Sequence, residues 1–176
     1  MSNLLQTLYG YHAWANVDLF NKLESIDPDI HGTELQNALR LISHYYVVSR
    51  ILAGHLQGIP HGFTSDNLEE TPALDKLRTA VVSSDQRYLD YLGTVSAATL
   101  SEGVAFTFTD GDKGYMTREK MITYVALHGS YHRGEVGRIL WQISITPPWD
   151  TFAVYFHQAE PTRRQQAARS PLPHEG

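Results

Sequence analysis

The chain has 176 residues, of which 42% are hydrophobic and 11% aromatic, and its formal net charge is −5. This composition is ordinary for one globular domain and excludes an intrinsically disordered chain. The negative charge argues against a nucleic-acid-binding protein, because such proteins usually carry a basic surface. The sequence contains no cysteine, so disulfides and thiolate metal sites are excluded, and His, Asp and Glu remain as metal ligands.

The first residues lack an early Lys or Arg and a continuous apolar stretch, so we expect no signal peptide. No stretch of the sequence approaches the roughly 20 apolar residues that are needed to cross a bilayer. We therefore expect a soluble, cytoplasmic protein that has no membrane partner.

Four helical segments are predicted from apolar residues that recur at intervals of three and four. The first covers about residues 4–25, and the second covers 33–57 with Thr33 as its N-cap. The third begins at Thr71-Pro72, which supply a cap and a proline at the first helical position. The fourth covers 117–143, with Thr117 as its N-cap.

The segment between the third and fourth helices is predicted to contain β structure. Residues 104–109 alternate at period two, and residues 110–114 are turn formers, which indicates a short hairpin or extended arm. Residues 151–156 are apolar enough to dock as a short helix or strand. We predict an all-α fold, a four-helix bundle with this hairpin or arm between helices three and four. A single domain would span residues 1–157, and residues 158–176 would form a disordered C-terminal tail.

His128 and His132 are four residues apart in the fourth predicted helix, so they lie on the same helical face. The apolar rhythm that includes Val125 and Val136 passes through both positions, which directs both imidazoles toward the core. A buried imidazole has to be hydrogen-bonded or coordinated, because an unsatisfied buried polar group costs about 1–3 kcal/mol. The pair is therefore either two satisfied core histidines or two ligands of one metal ion.

The second predicted helix offers a third metal ligand. One of its faces carries His44 and His55 among apolar residues at steps of three and four. His44 lies near the middle of this face and is the main candidate, because metal sites in bundles are built from facing side chains. His55 is a reserve candidate, but its place beside the break at 58–60 favours a helix-terminal role. His12 is a more remote candidate.

Two charged residues near the histidine pair have predicted roles. Glu135 lies one turn beyond His132, so it could act as a general base or accept a hydrogen bond from a metal-binding imidazole. An ion pair with a neighbouring helix is the alternative for Glu135. Arg133 is expected to tie helices together rather than to contact substrate, with Asp18 as a guessed partner. The aromatic residues Trp14 and Tyr45 are expected in the core rather than in a cavity wall.

Gly129, Gly134 and Gly137 fall within nine residues of the same helix. Each glycine costs a helix about 1 kcal/mol relative to alanine. The three therefore indicate the close approach of another backbone or of the walls of a metal site. The alternative is that tertiary packing simply tolerates them.

Four parts of the sequence follow the pattern of a known family. They are Tyr11-His12-Ala13-Trp14-Ala15-Asn16, Leu41-Ile42-Ser43-His44, the segment from His128 to Gly134 with Tyr131-His132-Arg133, and Thr146-Pro147-Pro148-Trp149-Asp150. Together they resemble the DinB/YfiT-like family of proposed metalloenzymes, which are damage-inducible bundle proteins and not the DNA polymerase of the same name. The resemblance covers about residues 3–157. The chain departs from the family at Glu135, where glutamine is typical, and at Leu127, where asparagine is frequent.

The resemblance implies a four-helix bundle that is commonly a homodimer. It also implies that His44, His128 and His132 hold a divalent ion such as nickel or zinc. Three histidine ligands leave an open coordination position for water or a thiolate. Two reactions on a small-molecule substrate fit such a site, and the resemblance implies both: hydrolysis, and transfer of a low-molecular-weight cellular thiol. A non-catalytic metal- or small-molecule-binding stress protein is the alternative, and purely structural histidines are a third interpretation.

Overall fold

A computed structural model describes residues 3–159 of the chain. Within this range it contains six helices and a two-stranded sheet, and the elements follow one another in this order. They are α1 (Asn3–Leu23), α2 (Pro28–Gln57), α3 (Leu74–Thr94), α4 (Ala97–Leu100), β1 (Gly103–Thr107), β2 (Lys113–Thr117), α5 (Arg118–Gln142) and α6 (Phe152–Ala159). The predicted tail lies outside the described residues, apart from its first two residues, which end α6.

The four long helices α1, α2, α3 and α5 form the bundle, so the prediction of an all-α bundle is confirmed. Helix α1 packs against α3 and α5, and α2 packs against the same two helices. This pattern places α1 and α2 at diagonal positions. In the part of the chain that the structure describes, none of the helices combines the length and the apolar character that a membrane span requires.

Helix α2 begins five residues earlier than the sequence analysis predicted. The carboxylate of Asp27 accepts a hydrogen bond from the Asp29 N–H, and Pro28 occupies the first helical position, an arrangement that favours helix initiation. The backbone at His31 is non-helical (φ −122°, ψ 34°), so the helix is kinked just before Thr33. Thr33 is therefore not the N-cap. By contrast, Thr117 does cap α5, because its side chain accepts a hydrogen bond from the Lys120 N–H.

The predicted hairpin between the third and fourth bundle helices is confirmed. Strands β1 and β2 pair antiparallel, with Ala105 opposite Tyr115, and Gly111 has the positive φ (96°) of the connecting turn. The Phe106 side chain is buried and belongs to the same apolar core cluster as Leu56 of α2. A two-stranded sheet is marginal by itself, so this contact with the bundle stabilises the hairpin. Strand β2 runs directly into α5 and thereby fixes the residue at which α5 begins.

A layer of buried polar side chains divides the core into two apolar clusters. One cluster includes Leu52 and Met121, and the other includes Phe20, Leu77 and Val136. On each of the four long helices, buried polar residues replace apolar ones between the two clusters. The buried polar residues of this layer are His12 and Asn16 on α1, Ser49 on α2, Ser84 and Asp85 on α3, and Arg133 on α5. We call this set the polar layer.

Arg133 is the charged centre of the polar layer. Its Nε donates to Asp150 Oδ2 at 2.7 Å, and its Nη1 donates to Asn16 Oδ1 at 3.2 Å and lies 3.0 Å from His12 Nδ1. Burial disfavours the charged guanidinium, but hydrogen bonds and attraction to Asp150 outweigh this effect, and the pKa of Arg133 is raised. Arg133 thus ties α5 to α1 as expected. The guessed partner Asp18 was wrong, because the ion pair forms with Asp150, in the loop that follows α5.

The rest of the polar layer joins the other helices. Asn16 Nδ2 donates to Asp85 Oδ2 at 2.7 Å and lies 3.1 Å from His12 Nε2, and the Tyr45 hydroxyl donates to Asn16 Oδ1 at 3.0 Å. Helices α1, α2 and α3 are therefore connected by one hydrogen-bonded group. His12, the remote candidate for a metal ligand, is used in this layer. Because buried polar groups require such partners, the layer restricts how the four helices slide along one another.

A steric contact explains the presence of one of the three glycines of α5. A Cβ atom at Gly129 would lie 2.3 Å from His12 Cε1, so the glycine makes room for the buried imidazole. A Cβ at Gly137 would make an ordinary contact of 3.5 Å with Pro147, and a Cβ at Gly134 would meet no described atom within 4 Å. Gly129 thus has a close neighbour, but this is the His12 side chain rather than the backbone or the wall of a metal site that the sequence analysis expected.

Replacement of Gly129 by alanine should destabilise the protein, because the new methyl group overlaps the His12 ring. We expect Gly129→Ala to lower the free energy of unfolding by about 1–3 kcal/mol. The matched control is Gly134→Ala on the same helix, which should raise that free energy by up to about 1 kcal/mol. Urea denaturation followed by circular dichroism measures both, and equal stability of the two variants would contradict this explanation.

Candidate metal centre

Three histidines from two helices meet beside the polar layer. Helix α2 supplies His44, and α5 supplies His128 and His132. Each residue offers one ligand atom, and these atoms all lie within 4.8 Å of one another. The ring centroids are 5.2 Å apart for His44 and His128, 4.8 Å for His44 and His132, and 4.6 Å for His128 and His132. The contact between α2 and α5 is the most extensive between any two elements, so these rings are held on a well-packed interface.

The two histidines of α5 face a common point, as expected for residues one turn apart. Their Nε2 atoms are 3.0 Å apart. Two nitrogen ligands of a tetrahedral ion, each at about 2.0–2.1 Å from it, are about 3.3 Å apart. A bound ion would therefore require a change of only a few tenths of an ångström between His128 and His132.

Two of the rings are oriented by hydrogen bonds from Nδ1. His132 Nδ1 lies 2.6 Å from Glu135 Oε2, and His44 Nδ1 lies 3.0 Å from the backbone oxygen of Asp66. Both acceptors require Nδ1 to carry the proton, which leaves the Nε2 lone pair for a metal. Contacts of this kind are typical of histidines that bind metals in proteins.

His128 is kept neutral by its surroundings. Burial lowers the pKa of His128 from 6.5 to about 4, with a further contribution from repulsion by His132 and His44. Its ring stacks on Tyr124, with centroids 5.3 Å apart and planes inclined by 12°. At neutral pH this imidazole is therefore unprotonated, which is the form that binds a cation.

The donor set suits a divalent transition metal. Imidazole nitrogens are good ligands for zinc, nickel and copper, and the chain has no competing thiolate. In the described range, this is the group of three or more His, Asp or Glu residues whose ligand atoms come close enough to hold an ion. The three-histidine group could therefore bind a metal, and three protein ligands would leave a coordination position open.

The other candidates from the sequence lie elsewhere or have auxiliary positions. His55 lies two residues before the end of α2 and contacts Phe106 and His61, so it does not join the three-histidine group. Glu135 contacts His132 of its own helix rather than forming the alternative ion pair with a neighbouring one. Its side chain is 42% exposed, so its carboxylate is also accessible from solvent.

The two aromatic candidates differ in their relation to the centre. Tyr45 is buried, as expected, and its ring stacks on that of His132 with centroids 6.4 Å apart. Trp14 lies away from the centre and is half-buried against Tyr11 and Tyr155. Tyr45 therefore connects the three-histidine group with the polar layer.

Sequence reasoning missed two residues of the centre. Asp66 supplies the backbone acceptor for His44 from the segment between α2 and α3. Because any residue type carries a backbone oxygen, no sequence pattern could reveal this role. Tyr124 stacks on His128 from the preceding turn of α5. The spacing of four residues is a signal that could have identified Tyr124.

Comparison with protein-family models matches residues 1–166 to the DinB family. The chain belongs to the DinB family. It is 26% identical over 167 residues to Protein DinB of Bacillus subtilis (strain 168). The aligned region covers 88% of this chain and 95% of that relative. No solved structure matches the chain. The family resemblance found from the sequence motifs is thus confirmed, and a three-histidine group is compatible with a metal-binding DinB protein.

Removal of the Glu135 carboxylate should weaken metal binding, because His132 loses the acceptor that fixes its ring and increases its basicity. We expect Glu135→Ala to reduce the affinity for zinc or nickel about 10–100-fold. Glu135→Gln keeps an acceptor without the charge and should fall between this variant and the wild type. Titration against a chromophoric chelator measures the affinities. Glu119→Ala, on the first turn of the same helix, is the control, and an equal effect of both alanine variants would refute the role of Glu135.

Proposed function

We propose that this DinB-family protein is a metal-dependent enzyme that acts on a small-molecule electrophile. His44, His128 and His132 would hold a divalent ion, nickel or zinc, in a site with an open position. The reaction would be either the transfer of a low-molecular-weight thiol to the electrophile or the hydrolysis of the electrophile. The observation that carries this proposal is the meeting of three imidazoles whose ligand atoms lie within 4.8 Å of one another.

The chemistry supplied by the ion, when bound, is Lewis acidity, which makes a water molecule or a thiol more acidic. The protein's own contribution is to fix the ligands and to move protons. Glu135 holds the Nδ1 proton of His132, and its accessible carboxylate could accept a proton from an incoming nucleophile. Asp66 holds His44 through its backbone oxygen. The neutral His128 ring would add no positive charge to the site.

Metal analysis of untagged protein tests the first part of this proposal. We expect about one divalent ion per chain, and we expect its loss in His44→Ala, His128→Ala and His132→Ala. His31→Ala is the control, because His31 lies at the kink of α2 and pairs with Glu34. Protein that binds no divalent metal, or variants that keep it, would reject the three-histidine site.

Turnover tests the second part. The metal-loaded protein should consume an electrophile such as a chloronitrobenzene faster when a cellular thiol is present, and the His128→Ala variant should not. Hydrolysis of an activated ester without thiol would assign the protein to the hydrolases instead. Metal binding without turnover of either substrate class would favour the alternative, a non-catalytic metal- or small-molecule-binding stress protein.

We also propose that the reaction takes place in the cytoplasm. Low-molecular-weight thiols are kept reduced in that compartment, and a thiol-dependent transferase needs the reduced form of its substrate. The sequence contains no cysteine, so the protein itself has no thiol that would compete with the substrate for the metal.

We also propose that the protein forms a homodimer and that the outer face of α5 is its interface. Tyr124, Leu127 and Tyr131 are exposed at steps of three and four residues, and Trp141 follows ten residues later on the same helix; Leu127, Tyr131 and Trp141 have exposed fractions of 57%, 67% and 69%. Exposed apolar side chains along one helix are typical of protein interfaces. The Tyr131 ring lies 5.0 Å from that of His132, so a second copy would lie close to the metal centre.

Light scattering after size-exclusion chromatography tests the dimer. The wild type should elute as a dimer, and Leu127→Glu should weaken dimerisation about tenfold, because it places a charge in the apolar interface. Ile30→Glu is the matched control, since Ile30 is an exposed apolar residue (71%) at the start of α2. A monomeric wild type, or equal effects of the two variants, would contradict the assignment of this face.

A further inference from the structure

A narrow cavity of about 200 Å³ extends from the three-histidine group along α2. His44 and His128 line it at one end, and His55 lines it near the C-terminal end of α2. We call this cavity the slot. Since two of the three candidate ligands form part of its wall, a molecule in the slot would have one end at the metal centre.

The floor of the slot is one face of α2. His44, Val48, Ile51 and His55 follow one another at steps of four, three and four residues and all line the slot. With a rise of 1.5 Å per residue, the eleven-residue separation between His44 and His55 corresponds to about 16 Å along the helix axis. The slot is therefore long enough for an extended molecule.

The opposite wall is formed mainly by aromatic rings. Phe106 of β1 and Phe108 just after it contact each other edge to face with centroids 4.9 Å apart, and Tyr124 lies on the α5 side. The middle of the slot is thus bounded by aliphatic side chains on one side and by rings on the other. Because apolar walls favour apolar ligand groups, the central part of a bound molecule should be apolar.

The far end of the slot has a different chemistry. The His55 ring lies 5.3 Å from that of Phe106. Within residues 3–159 its buried Nε2 atom has no hydrogen-bond partner, and the ring lines the slot together with Thr107. In a neutral imidazole one ring nitrogen carries the proton and the other accepts a hydrogen bond, so a hydroxyl group, which can both donate and accept, suits the unpartnered Nε2.

The surroundings of His55 favour its neutral form. Burial, followed by repulsion from His61, lowers the pKa of His55, so the ring is neutral at physiological pH. A buried ring nitrogen without a hydrogen-bond partner is unfavourable. A hydroxyl group delivered by a ligand would satisfy it.

We propose that the slot binds the remote part of the substrate and that His55 is a specificity-determining residue. The substrate class is an elongated molecule that has a reacting group at the three-histidine end, an apolar middle and a terminal hydroxyl group that forms a hydrogen bond with His55 Nε2. This inference rests on the proposed function, since it takes the three-histidine group as the reacting end. It assigns a role in substrate selection to β1 with the turn that follows it, and to the C-terminal part of α2.

Matched pairs of probes test the proposal on the metal-loaded protein. Each pair consists of a straight-chain hydroxamate with a terminal hydroxyl group and the hydroxamate in which a methyl group replaces that hydroxyl. The hydroxamate head is a metal-binding group, so the pair differs only at the end that should reach His55. In a series of chain lengths, we expect one length at which the hydroxyl probe binds about five- to tenfold more tightly than its methyl partner.

The variant His55→Phe keeps an aromatic ring and removes the ring nitrogen, so it should reverse this preference. His61→Phe is the control, because it keeps a ring against His55 and leaves Nε2 of His55 intact; its preference should match that of the wild type. Isothermal titration calorimetry gives the dissociation constants. A preference for the hydroxyl probe that survives in His55→Phe would overturn the proposal.

A spectroscopic measurement separates this proposal from the metal site. Long-range ¹H–¹⁵N correlation spectra of the metal-free wild type report the histidine tautomers. Addition of a long-chain primary alcohol, which has no metal-binding head, should shift the His55 Nε2 resonance. If the protein binds no metal but this shift appears, the proposed function fails and the slot assignment stands. If metal binds and the His55 resonance does not respond, the slot assignment fails alone.

Discussion

The buried charge of Arg133 is the constraint on which the arrangement of this protein depends. A guanidinium inside a helical bundle is tolerated only when it is paired and fully hydrogen-bonded. Asp150 from the loop after α5 and Asn16 of α1 meet this requirement, and His12 completes the group. Sliding α1 or α5 by one residue would separate these partners. The polar layer thus selects one register among the many that apolar stripes alone would permit.

The same register brings the three-histidine group together. His128 and His132 lie in the interval of α5 between Ala126 and Val136, where the apolar stripe is interrupted and Arg133 also lies. Tyr45 links the two sets of residues, because its hydroxyl donates to Asn16 and its ring stacks on His132. The histidines are therefore positioned by a rigid group of side chains rather than by loops. Such support is what a binding site needs to keep its ligands within a few tenths of an ångström.

The sequence predicted those features that depend on periodicity within one element. The bundle, the hairpin, the Thr117 cap and the inward direction of His128 and His132 all follow from local spacing. Features that depend on contacts between distant segments were missed or wrong. Asp150 rather than Asp18 pairs with Arg133, because the path of the loop after α5 brings its carboxylate to the buried charge. The backbone acceptor at Asp66 has no sequence signature, and the early start of α2 was missed because Thr33 was interpreted as the N-cap, whereas Asp27 caps the helix.

The two oriented histidines are held in ways that respond differently to mutation. His44 is held by a main-chain oxygen at position 66, whereas His132 depends on a particular carboxylate at position 135. Substitution at position 66 preserves the oxygen as long as the chain follows the same path. The connection between α2 and α3 can therefore change its side chains, and with them the surface it offers to other molecules, while the acceptor of His44 is retained. Changes in that connection would alter what the protein recognises before they alter the geometry of the three-histidine group.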